Sequence, residues 1–127
     1  MSRSFIYHLQ LVIVALGAVI SQLLIKKAMK EGGAIPFTLS GVTNYIKVIF
    51  TTPNLILGYS IAAFSAFIWL FALSRMELSY AAPVLNAIYF IVLLMASAMV
   101  LGESVSLLRW GGTALIIIGM LLITLDK

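Results

Sequence analysis

The sequence has no cysteine, a single histidine and only four acidic residues. Without cysteine there are no disulfides, thiolate metal sites or thiol nucleophiles. His8 alone leaves metal clusters and Ser/His/Asp arrangements without partners. Glu31, Glu77, Glu103 and Asp126 all fall outside the long apolar runs. No GxGxxG or P-loop pattern occurs. Charge is scarce as well: 9% of 127 residues, against about 25% in soluble domains. An enzyme has no visible constellation here, and no cofactor or metal is expected. The net charge of +4 is not a nucleic-acid signature, because most Lys and Arg sit at the ends of apolar runs, where they anchor helices to lipid headgroups.

Apolar sequence is what the chain has in quantity: 63% of residues are hydrophobic and mean hydropathy is +1.17. A membrane helix needs about 20 apolar residues to cross about 30 Å of hydrocarbon. Four runs meet that need, over about residues 5–29, 54–74, 80–101 and 107–125. The expected fold class is an all-α integral membrane protein, one four-helix domain over residues 1–127. The apolar part of the first run ends at Ile25 and is closed by Lys26, Lys27 and Lys30. No small-x-small cleavage site precedes these lysines, so the run reads as an uncleaved span. Pro83 is expected in the first turn of the third helix, where its missing N–H costs little. Asp126 and Lys127 close the fourth helix.

Short loops at residues 74–79 and 102–106 make antiparallel neighbours of the second, third and fourth helices. The long connection, residues 30–54, opens with Gly32, Gly33 and Pro36, which break a helix. Val42, Ile46, Ile49 and Phe50 then recur at helical spacing, and a short interfacial helix is expected there, with an irregular loop as the alternative. Four spans put both termini on one side. Arg3, Arg75 and Lys127 lie on that side; Lys26, Lys27, Lys30, Lys47 and Arg109 lie on the other. The positive-inside rule mildly favours termini outside, and a dual-topology protein would show a similar near-balance.

Polar residues inside spans are costly and usually face protein or water. Ser21, Gln22 and Lys26 form such a set in the first helix, with Gln10 near its other end. Gln22 and Lys26 are four apart and share a face, with Ala18 one turn earlier. An amide stacked beside an ammonium could hold an anionic or hydroxylated headgroup. The bland alternative is that Lys26 snorkels while Gln22 joins two helices. In the third helix Asn86 and Tyr89 share a face one turn after Pro83, and a buried Asn there needs a partner or a wet cavity. Small residues mark close packing: Gly58 and Ala62 in the second helix, Gly112 and Gly119 in the fourth. The glycine pair makes a plausible seam, either within the chain or between protomers.

Four helices enclose little, and a translocation path usually lies between two related repeats. A second copy or a paralogue would supply the other half. The segment from Trp69 through Ser74-Arg75-Met76 to Pro83 resembles the drug/metabolite transporter superfamily, as do the junction from Leu101-Gly102-Glu103 to Trp110-Gly111-Gly112 and the Ser21-Gln22 to Lys26-Lys27 end of the first helix. The resemblance covers nearly the whole chain except residues 31–52. It implies a four-helix, EamA-like or small multidrug resistance-like protomer of the bacterial inner membrane. Small multidrug resistance proteins rest on an embedded glutamate in the first helix; the matching position is Ala18, and their third-helix aromatic cage falls on Ala82 and Leu85. An alanine cannot cycle protons.

The chain is more similar to the subunits that flip aminoarabinose linked to undecaprenyl phosphate, at Gln22, Lys26, Pro83, Glu103 and Trp110. That resemblance implies a homodimer or a heterodimer with a paralogue, among membrane lipids, carrying a lipid-linked sugar whose phosphate would suit Lys26. Glu103 is expected to complement the dipole of the fourth helix and bind its free N–H groups, a structural part like Pro83 and Trp110. Two other readings remain: an exporter of small cations or metabolites, and a non-transporting assembly subunit. A channel is disfavoured, since no hydrophilic stripe runs the length of any span.

Overall fold

The computed structural model describes residues 3–125, with side chains from residue 5 onward. Asp126 and Lys127, expected to close the last helix, lie outside them, as does the Arg3 side chain used in the charge count. Among the described residues all regular structure is helical: α1 (Arg3–Gly32), α2 (Leu39–Thr51), α3 (Pro53–Leu73), α4 (Leu78–Val100) and α5 (Leu107–Leu125). All but α2 are long and apolar enough to cross a bilayer. The chain is thus all-α, with four spans and a short helix between the first and second.

Two details differ from the sequence reading. The lysines do not close α1, which runs on to Gly32. Lys, Ala and Met all favour helix, and the helix stops only where Gly33 takes φ 80 and donates its N–H to the Met29 carbonyl at 3.0 Å. Pro83 is not in the first turn of its helix. α4 begins at Leu78 after Glu77, so Pro83 is its sixth residue and leaves the Ser79 carbonyl without its ordinary donor.

The helix α2 starts at Thr38, whose hydroxyl accepts from the Gly41 N–H at 3.1 Å. A Cβ on Gly41 would overlap the Pro36 carbonyl, so this turn needs a glycine. Thr52 ends α2 and begins α3, with Pro53 in the position that lacks an intrahelical partner anyway. Leu39, Val42, Ile46 and Phe50 are exposed, the disposition of an interfacial helix. Tyr45 ties α2 to α3 by a 3.0 Å hydroxyl–hydroxyl bond with Tyr59. Desolvation first, then that bond, pushes the Tyr45 phenol up to about 12, so it stays neutral at physiological pH.

Helix α1 is the centre of the bundle, packing along α3 and α4; α5 rests on α4 alone, and α3 and α4 barely touch. Lipid is as apolar as leucine, so close contact rather than hydrophobic drive must hold these helices. Small residues supply it. Leu11, Ala72, Ala81 and Val84 are buried at the α1–α3–α4 junction. A Cβ on Gly58 would come within 2.9 Å of Ile25 and 3.2 Å of the Ser21 carbonyl; one on Gly17 would overlap the Ser65 hydroxyl. Gly58→Leu is therefore expected to cost about 1–3 kcal/mol by overpacking, read as a lower Tm in detergent. An unchanged Tm would mean that α1 and α3 separate at no cost. Phe64, Phe67, Leu70, Leu115 and Leu122 point outward, as lipid-facing residues do.

Candidate functional site

The splay between α3 and α4 leaves a groove along one face of α1. Two cavities, each of about 270 Å³, meet at Gln22, one in this groove and one between α1, α4 and α5. The one nearer mid-span, and so deeper in the bilayer, is lined by Val14, Ala18, Ser21 and Gln22 of α1, facing Ser65 and Trp69 of α3. Ser21 and Ser65 are buried there. The second lies toward the end of the bundle that holds the α4–α5 loop, and Gln22 lines it too. It opens because α5 stands on α4 and does not reach α1. Gln22 and Lys26 border it from α1, Ser97 from α4, Thr113 from α5 and Glu103 from the loop.

Lys26 and Glu103 face each other at 4.0 Å, Nζ to Oε1, with side chains 61% and 43% exposed. That is a loose, wet ion pair, worth at most about 1 kcal/mol. It can open at little cost, offering a cation and an anion side by side at the membrane boundary. Gln22 adds an amide one turn deeper. The pair also revises the reading of Glu103. The free N–H groups at the start of α5 are met by Ser106, which accepts from Arg109 N–H through its hydroxyl at 3.4 Å. Glu103 lies upstream of that turn, where the loop brings its carboxylate to Lys26.

Gln22 thus lines both cavities, with Ser21 in the first and Lys26 in the second. Asn86 and Tyr89 do not join them. The buried face of α4 is set by Ala81, Val84 and Ala87, and Asn86 points away from it, exposed. Tyr89 sits edge-on to Phe90, ring centroids 5.6 Å apart. Ala18, where an embedded carboxylate would be needed for proton-coupled export, faces the deeper cavity, and no acidic residue lines that cavity. Gly112 and Gly119 have no atom within 4 Å of an added Cβ, so they are not a seam inside the protomer. Trp110 is half-exposed on α5. Among the described residues no group of three His, Cys, Asp or Glu side chains could hold a metal ion.

Sequence reasoning missed two arrangements at the opposite end. His8 is not alone: its Nε2 lies 2.9 Å from the Tyr80 hydroxyl, linking α1 to α4. Gln10 joins Arg75 around a cavity described below. The only signal in the sequence was that His8 and Gln10 are polar residues at the start of an apolar run.

No protein-family model matches the chain, and no solved structure does. The chain is 37% identical over 119 residues to the probable 4-amino-4-deoxy-L-arabinose-phosphoundecaprenol flippase subunit ArnF of Erwinia tasmaniensis, an alignment covering 86% of this chain and 90% of that one. At that identity and coverage, and with four helices apolar enough to span a membrane, the chain belongs to the 4-amino-4-deoxy-L-arabinose-phosphoundecaprenol flippase subunit family, a multi-pass membrane transporter component and not an enzyme.

Proposed function

We propose that this chain is one protomer of a dimeric inner-membrane flippase that carries a polyprenyl-phosphate glycoside by alternating access. The observation that carries the reading is the Lys26–Glu103 pair at the mouth of a groove that also holds Gln22. The lipid in the relative's name has a phosphate and an amino sugar. Such a headgroup is itself a cation and an anion close together. Lys26 would take the phosphate, Glu103 the sugar ammonium, and Gln22 a hydroxyl. Swapping one loose ion pair for two better ones offsets part of the headgroup's desolvation cost. The polyprenyl chain stays in lipid, so the cavity needs to hold the headgroup only.

A second protomer completes the path. The helix α5 is largely exposed, packs on α4 alone, and presents Gly112 and Gly119 open. The partner is a second copy or a paralogue.

Native mass spectrometry of the protein extracted gently from its own membrane tests this reading. A dimer carrying a polyprenyl phosphate or its glycoside is the expected result. A lipid-free monomer, or a complex dominated by an unrelated chain, would overturn it in favour of an assembly subunit. Export of small cations has less support, because the deeper cavity lacks a carboxylate lining.

A further inference from the structure

The four-residue series Gln10, Val14, Ala18, Gln22 and Lys26 on α1 advances by about 40° per step, so it winds about 160° round the helix from one end to the other. Val14, Ala18 and Gln22 line the deeper groove, and Gln22 and Lys26 the cavity at the loop end. Gln10 lines a third cavity, about 470 Å³, at the opposite end of the bundle. Tyr7 borders it from α1, with Phe71, Ser74 and Arg75 at the end of α3. One cation and no carboxylate line this cavity. Among the described residues no carboxylate pairs with Arg75, and Glu77, two positions on, does not reach it. The Gln10 Oε1 atom is buried and has no hydrogen-bond partner. Leaving a buried amide oxygen unpaired is destabilising, because its lost hydration is not replaced.

We propose that this cavity is a second headgroup seat, on the membrane face opposite Lys26, for the phosphate ester of a lipid-linked sugar. The inference rests on the flippase reading above. Arg75 binds the phosphate oxygens, for which its planar fork of donors is suited. The Gln10 amide borders the same cavity, and turning it toward the ligand lets a sugar hydroxyl donate to the oxygen that is otherwise unpartnered. The logic is that of any translocation path: a ligand held strongly at one end only is trapped there. Comparable cations at both ends, with small neutral Val14 and Ala18 between, let the headgroup leave one seat for the other.

The test is native mass spectrometry of the full chain titrated with polyprenyl monophosphate in detergent. The variants are Lys26→Ala, Arg75→Gln, the double variant and Gln10→Leu. A seat that loses its cation is expected to bind about tenfold more weakly, the size of one charge-assisted hydrogen bond. Because the other seat remains, each charge variant alone is expected to lose only about half of the binding, the double variant about a further fivefold, and Arg75→Lys to recover part of the Arg75→Gln loss. Gln10→Leu, with Arg75 intact, should weaken binding in the Lys26→Ala background. If the double variant binds as well as Lys26→Ala, the second seat is overturned while wild-type binding leaves the flippase reading standing. If wild type binds no polyprenyl phosphate, both fail. A parallel titration with phosphatidylglycerol separates sources: no dependence on Arg75 is expected, and an equal loss there would make the cavity a general anionic-lipid contact and overturn the proposal.

Discussion

Lys26→Ala is expected to slow transfer of a lipid-linked amino sugar across reconstituted vesicles by about 10- to 100-fold. The magnitude follows from the bond removed. A hydrogen bond between an ammonium and a phosphate contributes about 1.5–3 kcal/mol, and each 1.4 kcal/mol is a factor of ten. A purely structural role predicts something else. The exposed Lys26–Glu103 pair stabilises the fold by at most about 1 kcal/mol, so Tm should barely move. Lys26→Arg should keep most of the activity, since it keeps the charge. The exchange Lys26→Glu with Glu103→Lys separates the two roles. It restores an ion pair but moves the cation from α1 to the loop, and transfer should stay low. Full transfer in the exchanged protein, or in Lys26→Ala, would remove Lys26 from the binding role.

The second large effect is expected at the glycines of α5. Gly112→Leu and Gly119→Leu should lower the dimer fraction in lipid by about tenfold or more, read by single-molecule photobleaching. Helices in a bilayer associate by close van der Waals packing, which a bulky side chain at the contact prevents. Because an added Cβ at either position meets nothing within the protomer, the monomer should keep its helical content and Tm. That contrast with Gly58→Leu, which strikes α1–α3 packing directly, makes the result diagnostic. A dimer that survives both substitutions would place the interface elsewhere on the bundle.

Sequence alone carried the four spans because length and hydropathy suffice for them. It also carried Gln22 and Lys26 on one face, since helical periodicity is local. It misjudged the end of α1 because lysines were read as a stop. Their aliphatic stems and helix propensity let the helix continue, and the stop is Gly33, where φ turns positive. Pro83 was misplaced by the same kind of boundary error, α4 beginning two residues earlier than read. The Glu103 partnership with Lys26 was out of reach, because it depends on how the loop after the third span lies against the first helix. Asn86 stands out in the sequence for its polarity in a span. Polarity says that a residue is costly in lipid, but not which way the helix is turned. Here the small residues Ala81 and Ala87 set the buried side of α4 and leave Asn86 opposite.

The length of α1 has a consequence for the rim of the bundle. Over the described residues α1 has 30 residues, and a rise of about 1.5 Å per residue makes it roughly 45 Å long. That exceeds the hydrocarbon thickness of about 30 Å, so its last turns stand among the headgroups. Those turns carry Lys26, Lys27 and Lys30. The cations at this membrane face are therefore fixed on a continuous helix rather than on a loop, and the rim that a headgroup first meets keeps its shape while the rest of the bundle moves.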